Sequence, residues 1–178
     1  MAEPTFTLEI ERNIEPDRLA WIDGEDAADG TGLGCNRDYR DLRSTTWAEV
    51  DEILEIELRR LDQSEALGFM DSHEIQELDV GIAGAVFALA AAGCIPFTSC
   101  NGGALGGRHL EEYPLVAFYL PKRLVELVLR AAEEANAGLF QDPVGGTVHV
   151  YGCELRDLHA FARALRDRQQ PCARLDVP

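Results

Sequence analysis

The chain has 178 residues, 46% of them hydrophobic, and a formal net charge of −16 at pH 7. This length and apolar content fit one domain with a packed core and exclude a disordered chain. The acidic balance repels phosphate backbones, so we expect no broad binding to nucleic acid. The five cysteines lack a disulfide-framework spacing, and the first residues lack a basic region and an apolar stretch. We therefore predict a cytoplasmic protein with reduced thiols.

The first half of the chain is acidic, because residues 1–79 carry 22 of the 32 acidic side chains. Residues 5–11, TFTLEIE, alternate apolar and polar and predict a short strand at a sheet edge. Residues 23–34 are rich in Gly and Asp and predict a loop. A helix is expected over 47–66, where a capping-box pattern precedes an apolar stripe. Its outer face is acidic, and its residues are Glu49, Asp51, Glu52 and Glu55.

An uncharged run extends from Val80 to Gly107. A stripe of apolar residues from Ile75 to Leu89 predicts a helix that Ser72 caps and Gly93 ends. A membrane span would need about 20 strongly apolar residues, whereas this run is rich in Ala and Gly and is interrupted by Pro96. We therefore expect a buried helix that leads into a strand at 94–98, and no membrane association.

The second half predicts a strand, a helix, a hairpin and a last helix. The first strand is LVAFYL at 115–120, and Pro121 suits the first position of the helix after it. The hairpin strands are expected at 137–141 and 147–152, joined by a turn at 143–146. A final helix begins near Leu155 and presents an arginine-rich face, which carries Arg156, Arg163, Arg166 and Arg168.

This order of elements predicts an α+β fold in which helices pack on a mostly antiparallel sheet. We expect a single domain with three sections. Residues 1–72 form an acidic section that wraps the core, residues 73–168 form the α+β core, and residues 169–178 form a loose tail.

The segment PFTSCNGGALGGRH, residues 96–109, holds the candidate site. Four glycines follow a buried helix and strand, with polar side chains around them, and such a loop can form an anion-binding nest of backbone N–H groups. Arg108 could add a bidentate contact to a phosphate or carboxylate. The predicted ligand-binding residues are Thr98, Ser99, Cys100, Asn101, Gly102, Gly103, Gly106, Gly107, Arg108 and His109.

Cys100 is also the candidate catalytic residue. A thiolate nucleophile needs a histidine base nearby, and His109 is close in sequence while His149 lies on a strand that could be adjacent. A metal site from these three residues is a further alternative, although no zinc-type C-x-x-C pair is present and we predict no metal. The other two histidines, His73 and His159, are interpreted as residues of polar helix faces.

The segment FTSCNGG (97–103), with the strand, helix and strands that follow it, resembles the tRNA methyltransferases of wybutosine synthesis. The resemblance covers roughly residues 73–168. It implies an α+β fold, S-adenosylmethionine as cofactor and a site lined by Ser99, Cys100, Asn101 and Gly102. The family's arginine after its serine-glycine pair is Gly103 here, Arg108 is the nearest substitute, and the acidic first half does not suit tRNA.

Three functions are consistent with the sequence. The leading hypothesis is a small-molecule or anionic-ligand site at 96–109, in a protein that could be a transferase. The second is a non-catalytic accessory protein whose acidic helix at 47–66 docks a basic protein partner. The third is a cysteine-dependent hydrolase or transferase that uses Cys100.

Overall fold

The computed structural model describes residues 8–20, 42–67, 74–103 and 111–169. In these ranges, four α-helices pack on a five-strand sheet, and two short strands form a separate hairpin. The helices are α1 (Trp47–Leu67), α2 (Ala83–Ala92), α3 (Val125–Glu134) and α4 (Leu155–Gln169). The strands are β1 (Arg12–Asn13), β2 (Glu74–Ile75), β3 (Leu78–Asp79), β4 (Ile95–Asn101), β5 (Pro114–Tyr119), β6 (Gly138–Gln141) and β7 (Val148–Tyr151). The predicted α+β class is confirmed.

The five strands lie in the order β1-β6-β7-β5-β4. Only the pairing of β1 with β6 is parallel among these strands, and the other three pairings are antiparallel. In the described ranges β4 is therefore an edge strand, paired with β5 alone. The other edge is β1, which lies just beyond the predicted strand at 5–11. Residues 8–11 are not strand, and residues 5–7 lie outside the described ranges.

The two faces of the sheet have different surroundings. Val116 and Val150 are paired across β5 and β7, are fully buried and belong to the main core, which includes residues of all four helices. Leu115 and Tyr151, paired one residue along, form a smaller cluster with Cys100 on the opposite face. Because successive strand residues point to opposite faces, each strand divides its side chains between these two environments.

Tyr151 holds the N-terminal segment against the second face. Its phenol accepts a hydrogen bond from the Glu11 backbone N–H (3.0 Å) and donates one to the Glu9 carbonyl (2.9 Å). The tyrosine ring lies where a side chain at Gly138 would stand. Glycine at position 138 therefore allows the ring to cross β6 and reach the segment before β1.

The predicted helix at 47–66 is confirmed as α1, and the Thr46 hydroxyl accepts the expected capping bond from the Glu49 N–H (3.2 Å). The predicted end of α2 is also confirmed. Gly93 has a left-handed φ of 94°, and its N–H donates to the Ala90 carbonyl. No helix in the described ranges is long and apolar enough to cross a membrane.

The predicted start of the second helix is wrong. Residues 74–79 form the β2-β3 hairpin, and α2 begins only at Ala83. Gln76 and Glu77 have φ values of 52° and 67°, as a tight two-residue turn requires. The helix after β5 also starts later than expected, because a 3-10 turn over Lys122–Leu124 separates Pro121 from α3.

A buried carboxylate joins three helices. Glu57 of α1 is fully buried, and its Oε1 accepts hydrogen bonds from the N–H groups of Gly81 (3.0 Å) and Gly84 (3.1 Å) at the start of α2. Its Oε2 lies 2.9 Å from Nδ1 of His159 on α4. The interpretation of His159 as part of a polar helix face is therefore wrong, since His159 is buried, while His73 lies outside the described ranges.

Acidic side chains of α1 also bond arginines of α4. Arg156 bonds Asp62 (2.7 Å) and Glu65 (2.6 Å), and Arg166 bonds Asp51 (2.6 Å). Leu54 lies in the same buried cluster as residues of α2 and α4. The division at residue 72 stays a prediction, and the loop expected at 23–34 and the tail after Gln169 lie outside the described ranges.

We expect Glu57→Gln to lower the free energy of unfolding by about 2 kcal/mol, because an amide replaces a carboxylate that three buried groups share. The matched control is Glu55→Gln on the exposed side of α1, with an expected change within about 0.5 kcal/mol. Urea unfolding of both variants measures the difference, and equal losses would show that Glu57 does not join the helices.

Candidate ligand site at the end of β4

The structure describes six of the ten predicted ligand-binding residues. Thr98, Ser99, Cys100 and Asn101 form the second half of β4, and Gly102 and Gly103 form the turn after it. The other four lie outside the described ranges, and they are Gly106, Gly107, Arg108 and His109.

Cys100 and Asn101 belong to different faces of the sheet. Cys100 is paired with Leu115 and lies in the small cluster on the face away from the helices. Ser99 is paired with Val116 of the main core, so alternation assigns Asn101 to the helix-packed face as well. The predicted residues are therefore neighbours in sequence but do not line one surface.

The turn after β4 directs its amides back to the strand. Gly102 and Gly103 have left-handed φ values of 67° and 70°. The Gly103 N–H donates to Asn101 Oδ1 (3.0 Å), and the Gly102 N–H donates to Cys100 Sγ (3.4 Å). These two amides thus bond the chain's own side chains, whereas an anion-binding nest needs amides that point at a ligand.

Asn101 has a buried donor with no partner. The residue is 1% exposed, and its Nδ2 has no hydrogen-bond partner among the described residues. An unsatisfied buried polar group costs about 1–3 kcal/mol, and each such group in a native protein calls for an explanation. A ligand acceptor that receives this donor is the explanation that also fits its position at a strand end.

Two helix N-termini lie at the same end of the sheet as Asn101. A Cβ on Gly81, just before α2, would lie 2.5 Å from Cδ2 of Leu155, the first residue of α4. At each of these two helix N-termini, backbone N–H groups donate hydrogen bonds to a side-chain carboxylate of the same chain. Glu57 accepts from the amides at the start of α2, and Asp157 Oδ2 accepts from the N–H groups of Cys153 (2.8 Å) and Glu154 (3.0 Å) before α4.

Carboxylates lie near two titratable groups at this sheet end, Tyr113 and Cys153. Burial raises the pKa of Tyr113, and Glu111 and Glu112 raise it further. Burial likewise raises the pKa of the Cys153 thiol, with Asp157 and Glu154 adding to the shift. Both shifts disfavour the formation of a further negative charge.

Cys100 is not placed for catalysis with His149. The prediction that the strand of His149 could be adjacent is wrong, because β5 lies between β4 and β7. Two strand spacings alone separate such residues by about 10 Å, well beyond hydrogen-bond reach. His149 instead makes an edge contact with the ring of Phe140, and burial lowers its pKa. No group of three metal-ligating side chains occurs among the described residues.

Sequence reasoning missed Glu57, Tyr113 and Asp157. Glu57 was readable, because it lies three residues after Leu54 and four before Leu61, within the apolar stripe of α1. The sequence around Tyr113 and Asp157 contains no comparable pattern. Their contacts with Gly102 and with the amides before α4 depend on which strands and helix ends are adjacent in the fold.

We expect Gly102→Ala to lower the free energy of unfolding by about 3 kcal/mol. The new Cβ would lie 2.7 Å from the Tyr113 carbonyl carbon, and overpacking adds to the strain of a left-handed alanine. Gly103→Ala has the same backbone strain and is the control, with an expected loss of about 1 kcal/mol. Thermal or urea unfolding compares the two, and equal losses would argue against the close contact with Tyr113.

Three thiols should be alkylated at different rates in the native protein. Cys153 is exposed, Cys100 is 8% exposed, and Cys94 is buried with a pKa raised to about 12. We expect iodoacetamide to modify Cys153 first, Cys100 more slowly and Cys94 only on unfolding. Because its pKa is raised, Cys153 should react faster with rising pH, without a plateau below pH 9. Peptide mass spectrometry measures the rates, and fastest reaction at Cys100 would favour the nucleophile hypothesis.

Comparisons with protein-family models, with curated proteins and with solved structures found no match to this chain. The resemblance of residues 97–103 to the wybutosine-synthesis methyltransferases therefore stays an expectation. Any function assigned to this sheet end depends on the geometry of the described residues.

Proposed function

We propose that the chain binds a small molecule at the end of β4, through an acceptor atom that receives the Nδ2–H of Asn101. The observation that carries this proposal is the buried, unpartnered carboxamide nitrogen. Binding would satisfy a donor whose isolation costs the unliganded protein free energy.

The local backbone supports a preorganised contact. The Gly103 N–H donates a hydrogen bond to Asn101 Oδ1, so the carboxamide oxygen faces the turn and the Nδ2–H group faces away from it. Gly102 packs closely against the backbone between Tyr113 and Pro114, where a Cβ would have no room. A donor held in this way loses little conformational freedom when a ligand arrives.

Transferase chemistry is the activity that this proposal favours. The resemblance of FTSCNGG supports it and implies S-adenosylmethionine as the molecule to test first. Cys100 would then lie on the opposite face of β4 from the ligand contact at Asn101. Its separation from His149, with β5 lying between their strands, ranks covalent catalysis by this pair lower.

The accessory-protein hypothesis has less support than ligand binding. Within the acidic face, Asp51 is engaged with Arg166 of α4. Further along α1, Asp62 and Glu65 bond Arg156, so a basic partner at these three positions would have to compete with the arginines. Salt-dependent capture of a basic protein by the native chain remains its direct test.

We expect Asn101→Ala to reduce ligand-induced stabilisation while leaving the unliganded fold intact. The probes are S-adenosylmethionine, adenosine and the nucleoside monophosphates, measured by thermal shift and then by calorimetry. A lost hydrogen bond to a buried donor should weaken binding about tenfold. Asn13→Ala is the control, because Asn13 is an exposed asparagine in β1, at the other edge of the sheet.

Two results would contradict the proposal. One is that no probe raises the melting temperature of the wild-type protein. The other is that a probe binds equally well to wild type, Asn101→Ala and Asn13→Ala, which would put its site elsewhere.

A further inference from the structure

The described residues at this sheet end include one buried side-chain donor without a partner, together with several carboxylates. Asn101 supplies the donor. The amides of Gly102 and Gly103 already bond Cys100 Sγ and Asn101 Oδ1. At each helix N-terminus of this end a carboxylate already accepts from two amides, Glu57 at α2 and Asp157 at α4.

The described groups at this sheet end would therefore compensate poorly for the free energy that an anionic group loses when it leaves water. A charge that leaves water for a buried site must gain several strong hydrogen bonds or a counter-charge. A single carboxamide N–H provides neither. Burial is the main cause that raises the pKa of Tyr113 and of Cys153, and neighbouring carboxylates raise both pKa values further.

We propose that the group bound by Asn101 is an uncharged acceptor, such as an amide or nucleobase carbonyl, and that the site discriminates against phosphate and carboxylate at this position. This inference rests on the proposed function and narrows its ligand class. It replaces the expectation of an anion-binding glycine loop, at least for the amides of Gly102 and Gly103.

A neutral acceptor gains the full hydrogen bond without a charge penalty. Its partner, the Asn101 carboxamide, is itself neutral, so the bond does not require a compensating ion. Glu111 and Glu112 directly precede Tyr113, whose backbone packs against Gly102, so a phosphate or carboxylate beside Asn101 would also be repelled by their charges. We expect a neutral probe to bind about tenfold more tightly than its anionic counterpart.

The experiment uses matched probes that differ in charge. The pairs are nicotinamide with nicotinate, adenosine with adenosine 5′-monophosphate and cytidine with cytidine 5′-monophosphate, together with inorganic phosphate. Calorimetry measures each with the wild-type chain, Asn101→Ala and Asn13→Ala at constant ionic strength. The double variant Glu111→Gln/Glu112→Gln tests whether these two carboxylates repel the anionic probes. Arg108→Ala tests whether the Arg108 side chain attracts them.

The expected result is that neutral members bind with an Asn101-dependent affinity, and that the double variant reduces the penalty of the anionic members. Asn101-dependent binding that favours the anions, or anion binding that disappears in Arg108→Ala, would overturn this inference and leave the proposed function standing. Binding of no probe, or binding independent of Asn101, would overturn both. The melting temperature of unliganded Asn101→Ala, compared with that of the wild-type protein, distinguishes a loss of ligand affinity from a loss of the folded structure.

Discussion

The helical layer depends on the hydrogen bonds that the buried side chain of Glu57 makes to two other helices. One side chain of α1 bonds amides at the start of α2 and the histidine of α4, so three helices meet at one buried carboxyl group. A buried carboxyl group without these partners would cost about 1–3 kcal/mol, which makes the three positions interdependent. Glycine at position 84 leaves room for this group, because a Cβ there would lie 2.5 Å from Glu57 Oε2.

The placement of α2 in turn determines where β4 runs. Helix α2 ends at Gly93, and only Cys94 separates that glycine from β4. The N-terminus of α2 and the end of β4 therefore lie at the same end of the sheet. Asn101 consequently lies at the end of the sheet where carboxylates already bond the helix amides. This arrangement is the basis of our proposal that the end of β4 does not favour an anion.

The sequence was most informative where local pattern decides structure. The capping signal at Thr46 and the stop at Gly93 were readable because they depend on a few adjacent residues. The β2-β3 hairpin was not, since Ile75 and Leu78 fit a helical stripe equally well and its turn contains no glycine. At the site, the segment at 97–103 was identified, but the distance between Cys100 and His149 depends on strand order, which local periodicity does not encode.

The pairing of β1 with β6 has a consequence for how the chain reaches its native state during synthesis. Arg12 Nε donates to the Ala137 carbonyl, 125 residues later in the sequence. Closing a loop of that length costs entropy, and contacts of high sequence separation form late. During synthesis residues 8–13 precede β6 by more than a hundred residues, and their place beside β6 exists only after β6 has been made. Among the described strands of this sheet β1 is thus made first, and we expect it to pair last.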